Sequence, residues 1–143
     1  MIDGVELSAL RQIHHPKGDI YHALKETDAV FNGFGEAYFS FVKSGEIKGW
    51  KKHTKMVLNL VVPQGAVKFV IYDDRAGSKT QGQFMNVELS PSNYQRITVQ
   101  PNLWVAFQGM TSGDNMLLNI ASIAHDPSES RNAELGAFDY CWS

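Results

Sequence analysis

Cysteine is nearly missing from this sequence: Cys141 is the lone thiol in 143 residues. One thiol builds neither a disulfide framework nor a cysteine-based zinc site. Long apolar runs are missing too. The longest are strand-sized, far short of the ~20 residues that cross a bilayer as a helix. The opening Met1-Ile2-Asp3-Gly4-Val5-Glu6 has no basic-then-apolar leader pattern. These absences favour a cytoplasmic protein with no membrane partner. Positive charge is not in excess: 13 Lys and Arg stand against 15 Asp and Glu, a net charge of −2, with a pI near 6.2. A general nucleic-acid binder would be basic overall, which argues against nucleic acid as a partner and leaves room for a local basic pocket. Internal repeats, low-complexity tracts and long amphipathic helical patterns are absent as well.

What is present is β-forming text. Apolar residues make up 43% of the chain, enough for the core of one domain. Residues 1–33 read as a mixed N-terminal arm. Within it, residues 5–13 suit a short helix or an arm, His15-Pro16-Lys17-Gly18-Asp19 a turn, and residues 20–24 a short strand. From Gly35 onward, strands are expected over residues 36–42, 47–50, 66–72, 84–89, 95–99, 103–108 and 116–123. Residues 55–62 either continue the strand begun at 47 or form another. Turn-like Gly, Pro, Asn and Asp text separates them. Short strands at this spacing indicate an all-β sandwich or barrel. Asp126-Pro127-Ser128-Glu129 is expected to open a short helix, with Asp126 as N-cap, Pro127 first in the helix and Glu129 as the capping-box acid. Residues 132–143 form a tail.

The run from Lys48 to Leu60 is the most informative. It sets four lysines and His53 at the start of an otherwise apolar strand. In a continuous strand, Lys51, His53, Lys55 and Asn59 share one face, and Met56, Leu58 and Leu60 the other. A titratable imidazole among cations suits an anionic ligand and proton transfer. Solvated edge decoration is the bland reading for any one lysine.

The order strand, Gly-x-x-x-His, strand, Pro-Gln-Gly turn, apolar strand, then Pro-x-x-Trp before a late strand resembles a cupin, a jelly-roll β-barrel. More narrowly, Lys48 to His53 and Gly65 to Arg75 resemble the nucleotide-sugar cupins. Leu89 to Arg96, Pro101 to Phe107 and Asp126 to Glu129 extend the likeness, which covers residues 34–131. This family includes dTDP-4-dehydrorhamnose 3,5-epimerases and dTDP-4-keto-6-deoxyhexose 3,4-ketoisomerases. The resemblance implies a nucleotide-diphosphate sugar as ligand. It also implies removal of a proton beside the sugar's C4 ketone by a histidine, with no metal and no other cofactor. In the ketoisomerase pattern Arg-Gly-x-His-x-His-Lys, Lys48 falls on the arginine, Lys51 on the first histidine and His53 on the second. In the epimerases a late-strand tyrosine is the acid; here Asn119 holds its place, and a second histidine becomes Val105 or Ala106. One epimerisation only, a different acid, or no catalysis all remain open.

His53 is therefore the candidate base, since an imidazole accepts protons near neutrality. Lys48, Lys51 and Lys55 are candidates for neutralising a diphosphate or stabilising an enolate oxygen. Lys48 has the opposite strand parity unless a bulge intervenes. Arg75 either clamps a phosphate or pairs with Asp73 or Asp74. Tyr38, Tyr72, Trp50 and Trp104 either stack on a nucleobase or belong to the core. The phenols of Tyr38 and Tyr72 are candidates for the missing acid. Asn59 and Asn119 are candidates for binding sugar oxygens. His14, His15, His22 and His125 are scattered, and no carboxylate follows His53 on its strand, so no metal site is expected. Exposed strand edges and an apolar sheet face suggest a homodimer, with N-terminal arm exchange as one form. The leading expectation is an epimerase of a nucleotide-linked 4-keto-6-deoxy sugar. A 3,4-ketoisomerase and a non-catalytic sugar-binding cupin are the alternatives.

Overall fold

The structure, a computed structural model, describes residues 1–142. Twelve strands run along the described residues: β1 (Val5–Ala9), β2 (Gln12–Ile13), β3 (Ile20–Tyr21), β4 (Glu36–Val42), β5 (Ile47–His53), β6 (Leu58–Gln64), β7 (Val67–Tyr72), β8 (Phe84–Leu89), β9 (Gln95–Val99), β10 (Trp104–Gly109), β11 (Asn115–Ala121) and β12 (Ser130–Asn132). Ten of them form two five-stranded sheets. Sheet 1 has the order β1-β9-β6-β11-β4, and sheet 2 the order β12-β5-β10-β7-β8. The pairings nest antiparallel: β4 with β11, β5 with β10, β6 with β9 and β7 with β8. That nesting is the jelly-roll topology of a cupin barrel.

Alternation explains which residues fill it. Leu58, Leu60, Val62, Ile97, Val99 and Leu117 of sheet 1 meet Val67, Phe69, Ile71, Leu89 and Val105 of sheet 2 in one core. Each such side chain contributes about 1.5–3 kcal/mol on full burial. Sheet 2 is covered on its outer face as well. There Trp50, Val70, Trp104 and Ala106 pack under Phe138, Tyr140 and Trp142 of the C-terminal tail. The tail is tied down by reciprocal backbone bonds between Trp50 and Ala133, of 3.1 and 3.0 Å.

The expected strands at 36–42, 84–89 and 95–99 stand as read, and the others shift by a few residues. Residues 5–13 form no helix. Val5–Ala9 pairs with β9 over five residues, because Val5 and Leu7 face the core. Strand β1, within the expected arm 1–33, is thus an edge of sheet 1, and β12 straddles the expected boundary at residue 131. Ser143, the end of the expected tail, lies outside the described residues.

Candidate active site

A bulge in β5 builds the first wall of the site. Lys51 lies opposite Val105 and Lys48 opposite Phe107, so Gly49 and Trp50 together face the single residue Ala106. Gly49 has φ +145°, and a Cβ there would stand 2.4 Å from the Cβ of Ala106, so only glycine fits. The extra residue resets the alternation. Lys48, Lys51 and His53 all reach the barrel interior, while the Trp50 ring is buried on the outer face.

These side chains line a cavity of about 500 Å³ that opens between the sheets. From sheet 2 come Lys48, Lys51, His53, Val105 and Phe107, with Asn132 and Ala133 beside them. From sheet 1 come Tyr38, Ser40, Leu58, Leu60, Leu117 and Asn119. The volume is typical of a small-molecule site, as is an apolar lining with a few polar groups.

His53 is held by Glu129. Its Nδ1 is bonded to the Glu129 carboxylate, and Glu129 is only 3% exposed. The same carboxylate accepts the backbone N–H groups of Thr54, Lys55 and Met56 at 3.1, 3.0 and 3.2 Å. Burial by itself would raise the Glu129 pKa. The bonds from His53 and from the Lys55 and Met56 backbone outweigh it, and the carboxyl sits below its ordinary value. A carboxylate at Nδ1 fixes the ring and places the free lone pair on Nε2. The wrap of residues 54–56 around Glu129 also ends β5 at His53.

The facing wall carries a second ordered pair. Tyr38 on β4 is directly opposite Asn119 on β11. The Asn59 backbone N–H donates to Asn119 Oδ1 at 3.3 Å, and Asn119 Nδ2 in turn donates to the Tyr38 hydroxyl at 3.1 Å. The amide orientation thus leaves the phenol free to give its own proton into the cavity. Lys48 Nζ donates to the Phe41 carbonyl at 2.6 Å and to Ser40 Oγ at 3.3 Å, bridging the two walls.

Five expected site residues stand elsewhere. Lys55 is exposed and outside the cavity, because the chain has left the strand after His53. A new strand begins at Leu58, which inverts the expected faces: Leu58 and Leu60 join His53 in the cavity. Asn59 instead turns to the outer side, where it accepts from Thr98 Oγ1 at 2.7 Å. Tyr72 stacks on Phe84 at 4.4 Å under the tail. Trp104 lies in the same outer cluster, with its indole donating to Asp74 at 2.9 Å and Lys52 above its ring. Arg75 is the salt-bridge partner of Asp73, with Nε to Oδ1 at 2.9 Å and Nη2 to Oδ2 at 2.8 Å. Arg75, with Ser78 and Thr80, holds the buried Asp73 carboxyl far below the usual carboxylate range against the cost of burial.

Sequence reasoning missed Glu129, Ser40 and Asn132. Asp126 does cap a short 3₁₀ turn, Pro127–Glu129. Glu129 is no capping-box acid, because its side chain turns inward to β5. A carboxylate in a turn signature gives no hint of a partner 76 residues away. Among the described residues, no three His, Cys, Asp or Glu side chains gather as metal ligands.

No family model matches the chain. A dTDP sugar isomerase from Desulfovibrio desulfuricans G20 is 34% identical, with a TM-score of 0.95 over 99% of this chain and 92% of that one. A dTDP-4-dehydrorhamnose 3,5-epimerase from Sulfolobus tokodaii shares the fold, with a TM-score of 0.84 at 19% identity over 96% of this chain and 81% of that one. The probable low-salt glycan biosynthesis epimerase Agl13 of Haloferax volcanii is 28% identical over 99 residues, 66% of this chain and 64% of Agl13. The chain spans less than two thirds of the length of the curated relatives it matches.

Proposed function

This chain belongs to the family of cupin-fold nucleotide-sugar epimerases and isomerases, and we propose that it inverts a carbon beside the C4 ketone of a nucleotide-linked 4-keto-6-deoxy sugar. The observation that carries this is the placement of two ordered proton-handling pairs on opposite walls of one cavity. His53 with Glu129 stands on sheet 2, and Tyr38 with Asn119 on sheet 1. His53 Nε2 takes the proton from the carbon next to the ketone. The electron pair of that C–H bond moves to the ketone oxygen as an enolate. Lys48 and Lys51 supply positive charge at the cavity for the enolate and the diphosphate. Tyr38 gives its hydroxyl proton to the opposite face of the carbon, and Asn119 Nδ2 stabilises the phenolate that results. Removal from one face and return to the other is inversion. A 3,4-ketoisomerase would pass through the same enolate but deliver a proton to C4 while the C3 hydroxyl becomes the ketone, so the NMR spectrum of the product separates it from an epimerase.

The homodimer is part of the same reading. Phe34, Phe39 and Phe41 are 65%, 60% and 53% exposed, and the last two share the outward face of β4, an edge strand. Such a patch beside an unpaired edge suits a second copy. The proposed compartment is the cytoplasm. Cys141 is a free thiol, and among the described residues no helix is long and apolar enough to cross a membrane.

The test is incubation with dTDP-4-keto-6-deoxyglucose in deuterated water, followed by NMR. The protein should wash deuterium into the position beside the ketone and form an epimer. His53→Asn should lose both. Tyr38→Phe should keep exchange at the His53 face and lose the epimer, by about 10²–10⁴-fold. Absence of exchange with dTDP-, GDP- and CDP-linked 4-keto sugars alike would leave a sugar-binding protein instead.

A further inference from the structure

A second cavity, of about 280 Å³, lies on the outer side of sheet 1, between strands β1 and β9 and the segment 22–30. Its floor is Arg96, which is 3% exposed. Arg96 Nη1 is occupied, donating to the Ala23 carbonyl at 2.8 Å and to Asp28 Oδ2 at 3.1 Å. Its Nε is enclosed and has no partner among the described residues, and Nη2 makes no hydrogen bond among them either. The Nε–Nη2 edge of a guanidinium is the fork that grips an oxyanion in two parallel bonds. A buried ionic donor left without an acceptor is unfavourable, and native proteins rarely leave one.

The rest of the cavity repeats the same sign. Exposed Arg11 and Lys25 stand on its rim, and Ser8, directly opposite Arg96 on the neighbouring strand, adds a hydroxyl. Glu6 and Asp28 are the acids present, and Asp28 is already engaged by Arg96 and by the Lys25 backbone N–H at 2.9 Å. Three fixed cations against two carboxylates leave a surplus positive charge. Water satisfies a donor without neutralising that charge; an anion does both.

We propose that this cavity is a second binding site, for a small oxyanion of the phosphate or carboxylate class, gripped by the free edge of Arg96 beneath Arg11 and Lys25. Because Nε is enclosed, occupancy moves the segment 22–30 outward from sheet 1. The site shares no residue with the His53 cavity, so it stands or falls independently of the proposed reaction.

The experiment titrates the intact protein with potassium phosphate, potassium acetate and, at matched ionic strength, potassium chloride. Melting temperature and the Arg96 Nε–H resonance are the readouts. Phosphate, acetate or both should shift that resonance saturably and raise the melting temperature beyond chloride, as ligand binding to the native state does. The two oxyanion arms tell a phosphate site from a carboxylate site. Phosphate also stabilises proteins by exclusion from their surface; that part persists in Arg96→Met, whereas the saturable part should vanish. If Arg96→Met does not fold, the Arg11→Ala/Lys25→Ala double variant should bind about tenfold more weakly. His53→Asn should bind as the parent does. A resonance unmoved by both oxyanions, with no rise in melting temperature beyond the non-saturable part due to exclusion, would make Arg96 only a tie for residues 22–30.

Discussion

Replacing Glu129 tests the site and the fold together. Alanine there removes the acceptor of three backbone N–H groups and the partner of His53. An orphaned buried donor costs about 1–3 kcal/mol. The Thr54 and Lys55 groups are part-buried, where water can take over, but the Met56 N–H is enclosed. The net loss should be about 3–5 kcal/mol, the range for breaking a buried ion pair from one side. At this chain length that lowers the melting temperature by roughly 10–20 °C. Glutamine keeps the shape but points an amide N–H at one of those donors, which should cost about 2–3 kcal/mol. Glutamine also removes the charge that stabilises the imidazolium formed during proton transfer, so the exchange rate should fall by about 10²–10⁴-fold. The pH dependence has a definite sign. Glu129 has a folded pKa below its ordinary 4.5. Its stabilisation is therefore complete above that value and is lost as pH falls through the depressed one. The gap between parent and Glu129→Gln should be widest at neutral pH and close in acid. Thermal melts across pH, with deuterium exchange on the same samples, measure all of this. A Glu129→Gln protein that melts within about 1 °C of the parent at pH 7, with unchanged exchange, would refute the role assigned to this carboxylate.

Two further outcomes follow from single residues. Gly49→Ala sets a Cβ 2.4 Å from that of Ala106 at a φ of +145°, and should destabilise by about 2–4 kcal/mol; an unaltered melt would contradict the bulge. Asp73→Ala strips Arg75, Ser78 and Thr80 of their shared partner, at about 3–5 kcal/mol. Because the Asp73 pKa is depressed far below its ordinary 3.8, its stabilisation is complete above that value and declines gradually as pH falls from there through the depressed one. The deficit of Asp73→Asn should therefore be full at pH 5, shrink partly but persist at pH 3, and its complete disappearance at pH 3 would overturn the assignment.

The barrel was legible because a jelly roll is assembled from local signals. Residues 36–42 or 84–89 carry alternating β-forming side chains between turns, and each becomes the strand they imply. The cationic run was legible for the same reason: Lys48, Lys51 and His53 lie within six residues of one another on one strand. Parity was where local reasoning failed. It presumes an unbroken pleat, and this segment breaks it twice. The Gly49–Trp50 bulge brings Lys48 into the cavity, and the wrap around Glu129 sends Lys55 out and turns Asn59 away. Tyr38, Tyr72 and Trp104 are equally aromatic as letters. Tyr38 reaches the cavity because its strand pairs with β11, while the tail seals the other two beneath Phe138.

Alternation and turn chemistry act between neighbours in the chain, so the order of residues alone was enough to read the all-β architecture and to single out His53 among its lysines. The partners of that histidine were not legible there. Glu129 approaches His53 from 76 residues away, and Tyr38 meets Asn119 across 81. Such contacts arise only when the strands close into a barrel, where burial makes a carboxylate beside an imidazole, and an amide beside a phenol, preferable to leaving any of the four unpaired.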